Sequence, residues 1–386
     1  MNALTASLAR GIRHLSLRKV YIVMMILVPL GCTWFLLDLM NEGLPLPVPA
    51  AVVDMDRSSL SRQVTRNLRA NQFVEVADES LTYHQALAKV RNGEIFGFFY
   101  IPDRFQQKAL SGQEPTLSFY SNMSIFVPGT MSYKGFKTVA VTTKGGLVLT
   151  TMTAAGVGAS EAAEMLQPVV INSQAISNPW LNYSIYLVNS FGPGALALMV
   201  LMVTVFSICT EIKHSTSPQW LATARGSIVI ALFGKLAPQT VIFSIVGIAM
   251  QALCFGFYHF PLNNHPFHMI TAVVLMVMAC QAFALAVVEL LPNLRLALSV
   301  CSLVGILSFS VAGFSFPVQQ MYGGIGIFSY ILPLRYYFLI YIDQALNGIP
   351  IYYSRIYYIA LIIFLFVPFI GLRRLRRHLL NPVYVP

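Results

Sequence analysis

The sequence predicts a membrane α-helical protein with six transmembrane helices and an α/β extracytoplasmic domain inserted between helices 1 and 2. Three observations carry that prediction. Of 386 residues, 56% are hydrophobic and only 10% are charged, where soluble domains average about 25% charged. The mean hydropathy is +0.67, which a globular core alternating with polar faces cannot sustain over a whole chain. Long apolar runs supply that average, and a single region between the first two of them has the composition of a soluble domain.

The first run, residues 20–37, is about 27 Å long at the helical rise, close to the thickness of a bilayer core. Arg10, Arg13, Arg18 and Lys19 precede it and hold the N-terminus in the cytoplasm by the positive-inside rule. The run is longer than a signal peptide's apolar stretch and no small-residue cleavage site follows closely, so it reads as an uncleaved anchor. Five more runs follow at 185–209, 228–257, 269–291, 296–313 and 356–372. Lys213 and Arg225 follow the second span, Arg295 the fourth, and Arg373, Arg374, Arg376 and Arg377 the sixth, which places both termini in the cytoplasm. The connections at 258–268 and 314–354 carry no Lys or Arg except Arg335, as external loops should.

Between residues 41 and 184 the pattern becomes that of a folded aqueous domain. A strand is expected at 50–54 and a helix at 58–71, with Leu60, Val64 and Leu68 on one face and Asp56 and Ser58 as caps. A strand at 73–76 follows, then a helix at 83–91 carrying Ala86, Leu87 and Val90 inward, and a strand at 95–101 that Pro102 closes. A short helix at 104–110, a turn at Ser111-Gly112 and a strand at 116–120 complete an alternation that suggests a small α/β sandwich. Residues 128–167 read as a long helix interrupted by Gly135, Gly145, Gly146, Gly156 and Gly158. The expected division is therefore 1–40, 41–184 and 185–386, with a polar segment at 210–226 inside the last part.

Charge distribution decides among partners. Residues 40–184 hold eleven basic and eleven acidic side chains, and the rest of the chain fourteen basic and four acidic, so the net +10 lies beside the spans. There it sets orientation and attracts anionic membrane lipids, while the aqueous domain has no electrostatic drive toward nucleic acid.

Chemistry-bearing patterns are sparse. The five cysteines lie singly in apolar runs, without a metal-ligand spacing, and read as small buried hydrophobes. His259, His265 and His268 share a loop, but with no helical spacing to bind a metal. Gly226 to Lys235 is the nearest approach to a phosphate-binding loop, and it lacks the following Ser or Thr and the right spacing. Lys235, about two turns into the third span, reads as a snorkelling lysine that reaches the headgroups. Glu211 and Glu289 fall at cytoplasmic span ends and Asp38 and Asp343 at outer ends, which argues against a proton relay. The polar stretch from Glu211 to Gly226 is short, amphipathic and membrane-parallel in character, with Trp220 and Leu221 able to sit at the interface.

The order and spacing of several short features carry a family resemblance. They are the basic N-terminus and first span, Ala51-Val52-Val53-Asp54-Met55-Asp56 with Ser58 and Ser61, Gln85-Ala86-Leu87 with Gly93, and Ile101-Pro102 with Phe105. Asn178-Pro179 with Tyr183, Glu211 heading its connection, Gly234-Lys235, Phe316-Pro317 with Met321, and Leu332-Pro333-Leu334-Arg335-Tyr336 complete the set. Over nearly its whole length the chain resembles the permease subunits of ABC-2-type exporters, in the subgroup with a long extracytoplasmic domain. It departs from that pattern at His214-Ser215-Thr216, where Gly-Thr usually follows the coupling glutamate.

The resemblance implies a bacterial inner-membrane export subunit for a hydrophobic or amphipathic substrate, such as a drug or lipid. It is not itself an enzyme and holds no cofactor, the ATP and Mg being bound by a separate ABC ATPase subunit. Glu211, Lys213, Trp220 and Arg225 would couple to that ATPase. Lys235, Pro317 and Arg335 would be transport or interface positions, the second and fifth spans would line the path, and 314–349 would form short external helices. A homodimer, or a heterodimer with a sister permease, is implied, as are a periplasmic adaptor and an outer-membrane channel. Two rival readings are a secondary carrier, which would want buried acids and internal repeats, and a membrane-anchored sensor, which would not need six spans.

Overall fold

A computed structural model describes residues 2–40, 46–111, 113, 115–166, 177–178, 182–314 and 317–382. Gly112 of the expected turn, residue 167 of the expected long helix, and Pro179 and Phe316 of the family features lie outside them. The chain divides into two compact units, Met1–Leu44 with Gln174–Pro386, and Pro45–Ser173.

Among the described residues of the first unit six helices are long and apolar enough to cross a membrane: Lys19–Leu39, Tyr183–Lys213, Ile228–Phe257, Pro266–Leu290, Leu294–Val311 and Ile351–Ile370. All six expected runs are present, most of them longer than hydropathy alone marks out. Polar caps account for much of the difference. The side chain of Asn182 accepts from the Ser184 amide at 2.8 Å and starts the second span. His265 accepts from the Phe267 amide at 3.2 Å before the fourth, and Asn293 from the Arg295 amide at 2.9 Å before the fifth. Each satisfies an otherwise orphaned N–H, which extends the helix into residues that look like loop.

The second and fourth spans form the core, with 72% and 61% of their apolar windows buried, whereas the sixth has 17%. Glycines allow the close approaches. A Cβ on Gly194 of the second span would lie 2.1 Å from the Phe309 ring of the fifth, and one on Gly247 of the third 2.6 Å from Val273 of the fourth. Between the fifth and sixth spans the expected short helices appear as Gly323–Ser329 and Pro333–Leu346, bent by 79° at their junction.

The second unit holds a four-stranded sheet of β1 (Val48–Asp54), β2 (Val74–Asp78), β3 (Gly97–Ile101) and β4 (Ser118–Ser121), in the order β2-β1-β3-β4. The first three are parallel and β4 is antiparallel to β3. Period-two alternation sorts β1 between two cores. Val48, Ala50 and Val52 pack with Val64 and Leu68 of helix Ser59–Arg69 and with Met131, Phe136 and Val139 of helix Phe126–Ala154. Ala51 and Val53 pack on the other face with Ala86 of helix Tyr83–Asn92.

Two expectations for this unit are corrected. Ser58 caps helix Ser59–Arg69, but Asp56 accepts from the Gln106 amide at 3.1 Å and so caps the distant helix Phe105–Leu110. The long helix runs unbroken through Gly135, Gly145 and Gly146, ends at Ala154 and resumes at Ala159. Among the described residues of that stretch, the backbone leaves the helix near Gly156, whose φ of +91° suits glycine.

Candidate functional site

The second span continues to Lys213, and His214 caps it. Ser215 turns the chain with φ of +55°, and the Thr216 amide returns to the Glu211 carbonyl at 2.9 Å. A seven-residue helix, Ser217–Thr223, follows with Pro218 in its first turn, a position where the missing N–H costs nothing. It ends through two successive left-handed residues, Arg225 at φ +52° and Gly226 at +77°, and the Gly226 amide closes onto the Leu221 carbonyl at 2.9 Å. Residues 210–226 thus form a tightly turned foot between the second and third spans.

Under this foot lies a buried ionic cluster. Glu211 is 2% exposed. Its carboxylate accepts from Lys235 Nζ at 2.7 Å and from Arg10 Nη2 at 3.0 and 3.3 Å, and also from the Thr216 hydroxyl. Two cations against one carboxylate leave a surplus positive charge. The Lys235 ammonium is placed to disperse it, donating to the Ser207 carbonyl at 2.9 Å and lying 4.3 Å from the Trp220 ring centroid. Thr216 belongs to the His214-Ser215-Thr216 departure, and its hydroxyl completes the shell of the glutamate.

Lys235 therefore does not snorkel. It is 4% exposed and turned inward, because a carboxylate, a carbonyl and an aromatic face lie within reach of its stem. Trp220 and Leu221, expected at the interface, are each 1% exposed: the Trp220 ring roofs the lysine and Leu221 joins the membrane core.

Arg10 reaches the cluster from an N-terminal helix, Ala3–Leu17, that the sequence reading did not assign. Its buried face is Ser7, Gly11 and Leu15, at i, i+4 and i+8. A Cβ on Gly11 would fall 2.2 Å from the Gly234 carbonyl oxygen, and one on Gly234 would fall 2.2 Å from Ser7 Oγ. The helix and the third span touch backbone to backbone, and Ser7 Oγ donates to the Ile230 carbonyl at 3.2 Å. The signal was present as a stripe of small residues at helical spacing, but it is short and its arginines carry an orientation signal that accounts for them without any contact. On the same helix, burial drives the His14 pKa down to about 4, the positive charge of Lys235 adding to the effect and the negative charge of Glu211 opposing it.

The other sequence-predicted positions lie apart from this cluster. Lys213 and Arg225 are on the exposed side of the foot. Pro317 is exposed before the short turn Val318–Gln320. Arg335 is 6% exposed at the end of the fifth span, donating to the Ala312 carbonyl at 3.1 Å and lying 4.8 Å from the Tyr330 ring. Gly313, at φ +92°, makes room for it, since a Cβ there would meet the guanidinium at 2.8 Å.

Among the described residues no group of three His, Cys, Asp or Glu side chains is placed to hold a metal ion. A search of curated proteins and of solved structures finds no significant match to the chain. The family profile described as ABC-2 family transporter protein matches residues 19–372, from the first span to the start of the C-terminal helix. Permeases of this family are multi-span, non-catalytic transport subunits that pair with a separate ATPase. On that match, together with the six spans and the α/β unit between the first two, the chain belongs to the ABC-2 transporter family.

Proposed function

We propose that this permease is the membrane half of an ATP-driven exporter, and that residues 210–226 are the foot on which its ATPase partner docks. The observation that carries the reading is the Arg10–Glu211–Lys235 cluster, which ties the foot to the N-terminal helix and to the second and third spans. A push on the foot is thereby transmitted to two spans and not absorbed by a loose loop. Glu211, Trp220 and Lys235 act beneath the docking surface, while Lys213 and Arg225 face the partner. In this reading both termini and the foot are cytoplasmic, the α/β unit is periplasmic, and the membrane is the bacterial inner membrane.

The cargo would be hydrophobic or amphipathic, a drug or a lipid, leaving along a path at the interface of two permeases, either two copies or a copy and a sister chain. The second and fifth spans would line that path near Phe191 and Phe309, whose rings stack at 5.4 Å. Pro317 and Arg335 would shape its outer end, and the periplasmic unit would receive cargo or hold an adaptor leading to an outer-membrane channel.

Reconstitution with the partner ATPase in liposomes tests this. Cargo-stimulated hydrolysis should fall by about tenfold or more in Glu211→Gln, the size of an ordinary coupling energy, while the isolated ATPase keeps its basal rate. Transport driven by a proton gradient without any ATPase would favour a secondary carrier. Cargo binding by the periplasmic unit with no transport at all would favour a sensor.

A further inference from the structure

The C-terminal helix Leu372–Leu380 lies against the same end of the membrane unit as the foot, and its arginines do more there than set orientation. Its sequence divides cleanly. Leu375 and Leu379 are fully buried, and Arg373, Arg374, Arg376 and Arg377 are exposed.

Each end of the helix is fastened to a different element. At its start Gly371 packs so closely on Glu289 that a Cβ would lie 2.3 Å from the carboxylate, and Arg374 donates to the Leu290 carbonyl at the end of the fourth span at 3.2 Å. At its finish, the Leu379 carbonyl accepts from the buried Ser217 hydroxyl at 2.8 Å, and Ser217 is the first residue of the foot helix. The C-terminal helix therefore bridges the fourth span and the foot. It also brings positive charge onto the foot, because an Arg376 Nη2 lies 4.0 Å from where a Cβ on Gly226, next to Arg225, would stand. Among the described residues no carboxylate is within salt-bridge distance of Arg225, Arg373, Arg374, Arg376 or Arg377.

We propose that this helix is a brace for the foot whose arginine face is completed by the phosphates of anionic phospholipids, so that membrane composition sets how firmly the foot is held. The chemistry follows from the charges. A guanidinium pairs bidentately with a phosphate, the like charges of Arg376 and Arg225 are relieved by an anion between them, and the helix follows directly on a membrane span. Orientation alone would need positive charge near the span, but not a helix hydrogen-bonded at both ends to other elements. The link to the foot rests on the reading of 210–226 as the docking segment only for its consequence in transport; the lipid response itself does not.

The test uses the full chain in nanodiscs without an ATPase, so its failure is separate from failure of the coupling reading. Hydrogen exchange is followed in residues 372–380 and 217–223, in phosphatidylcholine alone and with one third phosphatidylglycerol. Three arginines at an anionic surface should slow exchange in both segments by about tenfold or more when phosphatidylglycerol is present. Free glycerophosphate at the same total concentration should not reproduce the effect, and if it does the site takes a soluble phosphate and the lipid claim fails. The triple variant Arg373→Gln, Arg376→Gln, Arg377→Gln should lose the lipid response while keeping its rate in phosphatidylcholine, and the triple lysine variant should keep most of the response. Ser217→Ala should leave the C-terminal helix responsive and uncouple the foot. Equal exchange in both lipids, or a foot that still follows the helix in Ser217→Ala, would overturn the proposal. Protection that appears only on adding the ATPase would assign the arginine face to a protein partner instead.

Discussion

The two ends of the membrane unit are held by different chemistry. At the Glu211 end the links are full charges between elements far apart in sequence, Glu211 and Lys235 drawn out of water and Arg10 partly exposed beside them. At the opposite end the links run mostly through amides and hydroxyls, with the Asp343 carboxylate only as a terminal acceptor and no ion pair there among the described residues. Asn264 donates to the Gln344 side chain at 2.8 Å, Gln344 to Ser354 at 2.8 Å, and Ser354 to Asp343 at 2.8 Å, while Asn263 donates to the Leu346 carbonyl. The difference teaches where each end fails. A buried charge stripped of its partner is stranded, and the penalty exceeds what the pair contributed. A lost amide partner costs one hydrogen bond and some desolvation. The charged end is thus the one where a single change of partner can reset the structure, as a coupling element requires.

The largest effect should come from breaking the cluster. Glu211→Ala leaves Lys235 and Arg10 facing each other and should cost about 3–5 kcal/mol in thermal or denaturant unfolding in detergent. The double variant Glu211→Gln, Lys235→Met removes both buried charges and should recover much of that loss. If the single and double variants are equally unstable, the charges are not what binds this end together. Next comes Gly234→Val, which pushes the N-terminal helix off the third span and should cost about 1–3 kcal/mol by overpacking. Faster proteolysis within residues 3–17 would report it, and unchanged cleavage would mean that the helix is not docked there.

At the amide end, Ser354→Ala should cost about 1–2 kcal/mol by leaving Gln344 and Asp343 one partner short. A loss as large as that of Glu211→Ala would erase the contrast between the ends.

Docking of the N-terminal helix should also depend on pH. His14 has a pKa of about 4 in the folded chain against 6.5 outside it, so below pH 6.5 the unfolded state binds the extra proton. Stability from docking the N-terminal helix should be complete above pH 6.5 and decline as pH falls through about 4. His14→Gln should flatten that slope in unfolding midpoints measured across this range, and a slope unchanged by the substitution would exclude His14 as its source.

Much of this was legible in the sequence because it rests on local patterns. The six spans follow from apolar length, and the strands and helices of the aqueous unit from periodicity and caps. Glu211 and Trp220 were readable as members of the foot. What stayed hidden depends on contacts between distant residues. Lys235 looks like any lysine near a span end until Glu211, 24 residues earlier, is seen to face it. Arg10 looks like an orientation signal until Gly11 and Gly234 are seen to let two backbones meet. Asp56 looks like the cap of the next helix, but caps one that begins about fifty residues later. Pro317 and Arg335 were singled out by local sequence and belong to a different part of the unit.

The docking foot is tested most directly by Gln219→Cys, an exposed position of the foot helix, in a chain whose half-buried Cys32 is replaced by serine. The account predicts that residue 219 cross-links to the ATPase partner, with a yield that changes on ATP binding, and reacts with an impermeant maleimide only from the cytoplasmic side. Labelling from the periplasmic side, with no cross-link in any nucleotide state, would contradict it.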